Sequence, residues 1–240
     1  MDFVVDGKRA FAYTAAHGLD AAKASIVFIH GAGLDHSWWG LQSRYFGYHG
    51  WNVLACDLPG HGRSEGPPLP TIGEAAEWVC RLLDASATEK ACLVGHSMGS
   101  LVALECAARF PARIQRIALL GAAFPMNVSD AFLEAARNND QSAYDMETIW
   151  GHAPQVPFGG NPNPGMWMYG DTLARLSRLS PGVLYNDLKA CKEYAAGLES
   201  AAKIACPALV IAGGRDMMTP PRAALPPKMS PGGWDFSPAP

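Results

Sequence analysis

The chain has 240 residues, 49% of them apolar and 17% charged, with a formal net charge of −3 and a mean hydropathy of zero. A chain of this length buries about 70% of its unfolded surface without crosslinks, which excludes disordered, fibrous and staple-dependent classes. Its mild acidity and lack of a Lys/Arg run argue against nucleic acid or anionic membranes as partners, leaving a small-molecule substrate. The oligomeric state is not legible.

The N-terminus, Met1-Asp2-Phe3-Val4-Val5-Asp6-Gly7-Lys8, has no basic flank followed by an apolar core, and no apolar stretch is long enough to span a membrane. A cytoplasmic location is therefore expected. Cysteines 56, 80, 92, 106, 191 and 206 are scattered through apolar segments rather than paired as Cys-x-x-Cys. They read as buried thiols, with no disulfide framework, metal or cofactor.

Phe3 to Val5 and Phe11 to Thr14 flank Asp6-Gly7, a hairpin signal. Short continuous apolar runs follow at Ser25–Ile29, Asn52–Cys56, Ala91–Val94, Ile117–Leu120 and Ala208–Ala212, as expected of parallel strands covered on both faces. Between them a capping box, Thr71-Ile72-Gly73-Glu74, opens one helix, and a second runs from Met98 to Phe110 before Pro111. This alternation predicts an α/β domain with a largely parallel sheet entered through a hairpin. From 122 to 205 the strand signal vanishes, and helical patterns at 130–138, 142–150, 167–179 and 183–196 surround a Pro/Gly/Asn loop at 157–165. The predicted organisation is a core over 1–121, a helical cap over 122–205, more core over 206–224, and an irregular Pro/Gly-rich tail over 225–240. Seven of the nineteen prolines fall within the last 21 residues.

Gly95-His96-Ser97-Met98-Gly99 lies between a predicted strand and a helix, the context of a G-x-S-x-G nucleophile elbow. Small residues at 95 and 99 permit a cramped turn that presents Ser97, while the helix N-terminus and the Met98 N–H face developing negative charge. His30-Gly31-Ala32-Gly33 ends another strand, and the Ala32 N–H would be the second oxyanion donor. A dinucleotide loop starting at Gly31-Ala32-Gly33 fails at its sixth position, His36. Asp57-Leu58-Pro59-Gly60-His61-Gly62-Arg63-Ser64 reads as a structural connection, with His61 a turn residue. In Ala212-Gly213-Gly214-Arg215-Asp216, the carboxylate follows a strand end, where it could orient an imidazole.

In this order, the hairpin, HGAG, DLPGHGRS, GHSMGS, helical cap and AGGRDMMTP resemble the α/β-hydrolase superfamily, serine-nucleophile esterase/lipase-like branch, over residues 3 to 224. The resemblance implies a mostly parallel eight-stranded sheet, Ser97 as nucleophile, Asp216 as triad acid, and the Ala32 and Met98 N–H groups as oxyanion hole. The triad His of that pattern follows the acid, yet none of the 24 residues after Asp216 is His, and all seven histidines lie upstream. His30 and His61 belong to structural loops, His96 projects differently from the elbow, and His36 and His152 would reach the site only by an unusual path. The tail is accordingly expected to be a truncated or out-of-frame end, leaving an exposed sheet edge and poor solubility.

The expected activity is hydrolysis of carboxylic ester or related acyl bonds in small to medium, apolar substrates. Trp38, Trp39, Trp150 and Trp167 are candidate pocket residues, and Phe158, Met166, Met168 and Tyr169 further apolar cap residues. Haloperoxidase- or perhydrolase-like, lactonase and carbon–carbon hydrolase activities would reuse the same residues. A non-catalytic binding protein of the same fold is the alternative from another class.

Overall fold

A computed structural model describes residues 1–154, 156 and 167–224, together with the backbone of 234–239. Eight strands form one sheet in the order β1-β2-β4-β3-β5-β6-β7-β8. They are β1 Asp2–Val5, β2 Lys8–Tyr13, β3 Ser25–Ile29, β4 Asn52–Cys56, β5 Ala91–His96, β6 Ile114–Leu120, β7 Ala208–Gly213 and β8 Trp234–Ala239. β1 pairs with β2 and β2 with β4 antiparallel, whereas every pair from β4 to β8 is parallel. The hairpin turns through Asp6 and Gly7, both at positive φ.

Every residue of β3 and β4 is buried, which matches their unbroken apolar runs. The expectation of two covered faces holds less well toward the other edge. β5 and β7 alternate in burial, and Leu209 is 36% exposed. The same alternation leaves Cys92 half-buried, as is Cys206, instead of enclosed like the other four free thiols.

Helix α1, Gly40–Tyr48, was not foreseen: its apolar positions form no strong stripe, and two of its aromatics, Tyr45 and Tyr48, face solvent. α2, Ile72–Ala85, begins where its capping box predicts, with Thr71 Oγ1 accepting from the Glu74 N–H at 3.1 Å. α3, Met98–Arg109, lies almost wholly buried against α2, β5 and β6. The cap region contains α4 Asp130–Arg137, α5 Gln141–Trp150, α6 Met168–Leu176, α7 Val183–Glu193 and α8 Gly197–Lys203. The helix expected over 183–196 ends at Glu193, where Tyr194 turns to an extended conformation, and α8 lies beyond the expected range. The short α9, Pro221–Ala224, follows β7.

The irregular tail needs a correction. Its backbone over 234–239 forms β8, paired in parallel with β7 from Ala208↔Trp234 to Gly213↔Ala239. β8 is the last strand in the sheet order, and an edge strand tolerates Pro238, which has no N–H to donate. The loop at 157–165, Phe158 and Met166 in the cap, and residues 225–233 and 240 lie outside the described residues. Among the described residues, no helix is long and apolar enough to cross a membrane.

The strand order reverses between β3 and β5: from β3 the chain moves to β4 on one side, then to β5 on the other. Such a switch point opens a crevice at the carboxyl ends of the strands. HGAG leaves β3 there and the Ser97 turn leaves β5.

Candidate active site

Ser97 occupies φ 52°, ψ −118°, a region costly for a side-chain-bearing residue. The turn is fixed from several sides. Ser97 N–H donates to Leu120 O at 2.9 Å, and Ser97 O accepts from the Ser100 N–H at 2.8 Å and the Ser100 hydroxyl at 2.5 Å. A Cβ on Gly95 would run into the Gly99 carbonyl, and one on Gly99 into the carbonyls of Ile29 and His30. The two glycines therefore bring strand, turn and helix close enough to strain the intervening serine. Met98 follows as the first residue of α3, whose leading N–H groups have no intrahelical acceptor.

Ala32 and Ser97 border the same cavity of about 180 Å³ under the cap. Its walls come from the stretch after β6 (Met126, Val128), α4 (Phe132), α5 (Glu147, Trp150), α7 (Leu188, Cys191) and the segment after β7 (Met218, Thr219). It is largely apolar, with Glu147 its only charged-type residue among the described lining. A smaller cavity of about 50 Å³ is bordered by Ser97, Asp216, His96, His152, Glu147 and Trp38, among others.

Asp216 is positioned by its own loop. Oδ1 accepts from the N–H groups of Met218 at 2.9 Å and Thr219 at 2.7 Å, and Oδ2 accepts from the Thr219 hydroxyl at 2.7 Å. No histidine is hydrogen-bonded to it or to Ser97 among the described residues.

The histidines separate by environment. His30 is fully buried, with Nδ1 against Gly31 O at 2.8 Å and Nε2 accepting from Leu58 N–H at 3.1 Å; burial, then the nearby His61, push its pKa down to about 4. His36 is tied to the buried Asp57, Nδ1 lying 2.8 Å from Oδ1. Asp57 also accepts from the His36 and Arg63 N–H groups, and a Cβ on Gly62 would strike its carboxylate, so DLPGHGRS is a structural knot. His96 stacks on Trp38 at 5.2 Å, its Nδ1 is shut in without a partner among the described residues, and burial lowers its pKa to about 4. His152, just beyond α5, was expected to need an unusual path, yet it reaches the small cavity with Ser97 and Asp216. Its Nδ1 lies 2.8 Å from Thr148 O, which requires the proton there and leaves Nε2 as the acceptor nitrogen.

His61 does more than turn the chain. Nδ1 is 3.0 Å from Pro59 O and Nε2 is 2.8 Å from Asp187 Oδ2, so both nitrogens face acceptors and the ring must carry two protons. Burial opposes that charge, but the Asp187 carboxylate outweighs it and the His61 pKa is raised. Asp187 Oδ2 also accepts from Gly33 N–H at 2.9 Å, linking cap helix α7 to the loop that carries Ala32. A separation of 126 positions along the chain hides the His61–Asp187 pair from the sequence pattern.

Two of the four candidate tryptophans need correction. Trp150 borders the larger Ser97 cavity and Trp38 the smaller. Trp39 is a core residue, 2% exposed and 5.1 Å from the Phe28 ring, while Trp167 is 68% exposed. Both border an outer groove of about 580 Å³ whose described lining does not include Ser97. Aromatic composition alone does not distinguish a pocket wall from core or rim. The pocket residues missed in sequence, Phe132, Glu147, Leu188 and Met218 among them, belong to helices and loops whose patterns look like ordinary packing.

The profile of the alpha/beta hydrolase family matches residues 26–234. The chain therefore belongs to the α/β-hydrolase family and is a member of a hydrolase enzyme family. It is 26% identical over 197 residues to the (E)-2-((N-methylformamido)methylene)succinate hydrolase of Acinetobacter baylyi, covering 80% of this chain and 72% of that protein. A 39% identical stretch of 111 residues relates it to the dihydrolipoyllysine-residue acetyltransferase component of the acetoin cleaving system of Cupriavidus necator, covering 45% of this chain but only 28% of that protein. In three dimensions it is similar to the enol-lactonase of Burkholderia xenovorans, with a TM-score of 0.86 at 24% identity over 100% of this chain and 91% of the other. At that identity the likeness concerns the fold.

Proposed function

We propose that this protein is a serine hydrolase of carboxylic ester or related acyl bonds, acting on small to medium substrates whose apolar part fills the 180 Å³ cavity. The observation that carries the reading is Ser97, held at φ 52° on a glycine-enforced turn and facing that cavity beside Ala32 and the start of α3. Ser97 Oγ attacks the substrate carbonyl carbon, and the carbonyl oxygen takes up negative charge between the Ala32 and Met98 N–H groups. Collapse expels the alcohol and leaves an acyl-enzyme, which water cleaves to the acid.

The proton leaving Ser97 needs a base. His152 is the better of the two imidazoles at the small cavity, because its Nε2 carries the lone pair, whereas a His96 with a pKa near 4 is too weak. The small cavity of about 50 Å³ that both residues border has room for a bridging water, since about 10–15 Å³ suffices for one. Asp216 supplies the negative charge that stabilises the cation formed. A cytoplasmic setting fits this chemistry.

The second reading, a binding protein of the same fold, is favoured by one observation: Ser97 has no imidazole within direct hydrogen-bond reach among the described residues. Turnover of p-nitrophenyl hexanoate separates the two. The enzyme reading expects turnover that falls by at least about 100-fold in His152→Ala, the usual size of a general-base contribution. Hydrolysis no faster than the buffer blank, with specific binding of the ester, would establish the binding protein.

A further inference from the structure

Glu147 is the residue of the larger cavity that the proposed chemistry leaves unused. It projects from cap helix α5 and borders both the larger and the smaller Ser97 cavity. Its Oε2 is shut off from solvent and has no hydrogen-bond partner among the described residues. A carboxyl oxygen enclosed without a donor destabilises a fold, so the fold has reason to exclude it unless a ligand uses it. Burial, reinforced by the Asp187 carboxylate, raises its pKa to about 7, so the group stands ready to ionise when a cation arrives. The described lining of the larger cavity includes no Lys, Arg or His. It does include Trp150 and Phe132, an edge-to-face pair with ring centroids 5.7 Å apart, whose π-faces attract cations.

We propose that the larger cavity binds the ammonium group of an amine-bearing ester, with the Glu147 carboxylate as its counter-ion and the Trp150 and Phe132 rings as its apolar walls. This rests on the serine-hydrolase reading and names its substrate class: esters whose acyl or alcohol part ends in a protonated amine. Carboxylate-bearing substrates are rejected, because no cation of the larger cavity's described lining would face their charge while Glu147 would repel it.

Calorimetric binding tests the site without turnover, using three probes of similar shape, benzylammonium, benzyl alcohol and benzoate, at pH 7.5. Wild-type protein is expected to bind benzylammonium at least about 10-fold more tightly than benzyl alcohol and to show no heat with benzoate. Glu147→Gln, nearly isosteric, is expected to bring the ammonium and alcohol affinities within about 2-fold of each other. Equal affinities in the wild type overturn the proposal, and so does a preference that survives in E147Q. Should the variant not fold, the wild-type ranking decides alone. Reaction of wild-type Ser97 with a small fluorophosphonate is measured in parallel. An ammonium preference without labelling would remove the hydrolase reading and leave the amine site standing, whereas labelling without preference would do the reverse.

Discussion

Two carboxylates reach inward from the cap, Asp187 on α7 and Glu147 on α5, and the protein treats them oppositely. Asp187 is buried and fully engaged: Oδ2 accepts from His61 and from Gly33 N–H, and although burial would raise its pKa, His61 holds it below the usual carboxylate range. Glu147 has no such partners among the described residues and its pKa moves the other way. The same fold thus uses one buried carboxylate as an attachment between cap and oxyanion loop and leaves the other to meet a ligand. Hydrogen bonding, complete at Asp187 and lacking at Glu147 Oε2 among the described residues, separates the two roles.

The largest effect expected follows from breaking the attachment. Asp187→Ala leaves a charged His61 and the Gly33 N–H without their acceptor, and losing one partner of a buried pair costs about 3–5 kcal/mol, read from urea denaturation. A loss below about 1 kcal/mol would mean that Asp187 is no attachment. The pair also shapes pH dependence. His61 has a raised folded pKa, so its contribution is complete below 6.5 and fades as pH rises through that raised value. Asp187 has a depressed one, so its contribution is complete above 3.8 and fades as pH falls through the depressed value. Wild-type stability should therefore fall away on both sides of that window, and D187A should flatten the profile.

Glu147 gives the opposite and smaller result. Its folded pKa lies above the ordinary 4.5, so the native state binds the extra proton and stability declines as pH rises from 4.5 to about 7. Glu147→Gln should remove that decline, stabilising the protein at pH 8 by on the order of 1–3 kcal/mol with little change at pH 4. Thermal melts at the two pH values would check it, and destabilisation at both would place Glu147 with Asp187 as a structural group.

What the sequence made legible were the places where local geometry admits few residue types. Gly95 and Gly99 are dictated by carbonyls that a Cβ would strike, and Asp6-Gly7 by positive φ, so the elbow and hairpin could be read directly. The parallel sheet followed from apolar runs that need cover on both faces. The cap carboxylates could not be read in this way: on α5 a glutamate looks like the solvent face of an amphipathic helix, and only the fold turns it toward Ser97. Trp39 and Trp167 border the outer groove and not the described lining of the Ser97 cavities, a distinction composition does not carry because an aromatic side chain serves core, rim and pocket equally well. Trp234–Ala239 looks irregular in sequence because proline and glycine dominate its surroundings, whereas the edge of a sheet accepts a strand with proline in it.

The hydrolase reading depends on Ser97 being a nucleophile and not merely a strained turn residue. Intact-mass spectrometry after exposure to a fluorophosphonate, with peptide mapping of the adduct, measures this directly. The account predicts a single phosphonyl adduct on Ser97, absent in Ser97→Ala; an unmodified protein that retains its fold, or an adduct on another residue, would contradict it.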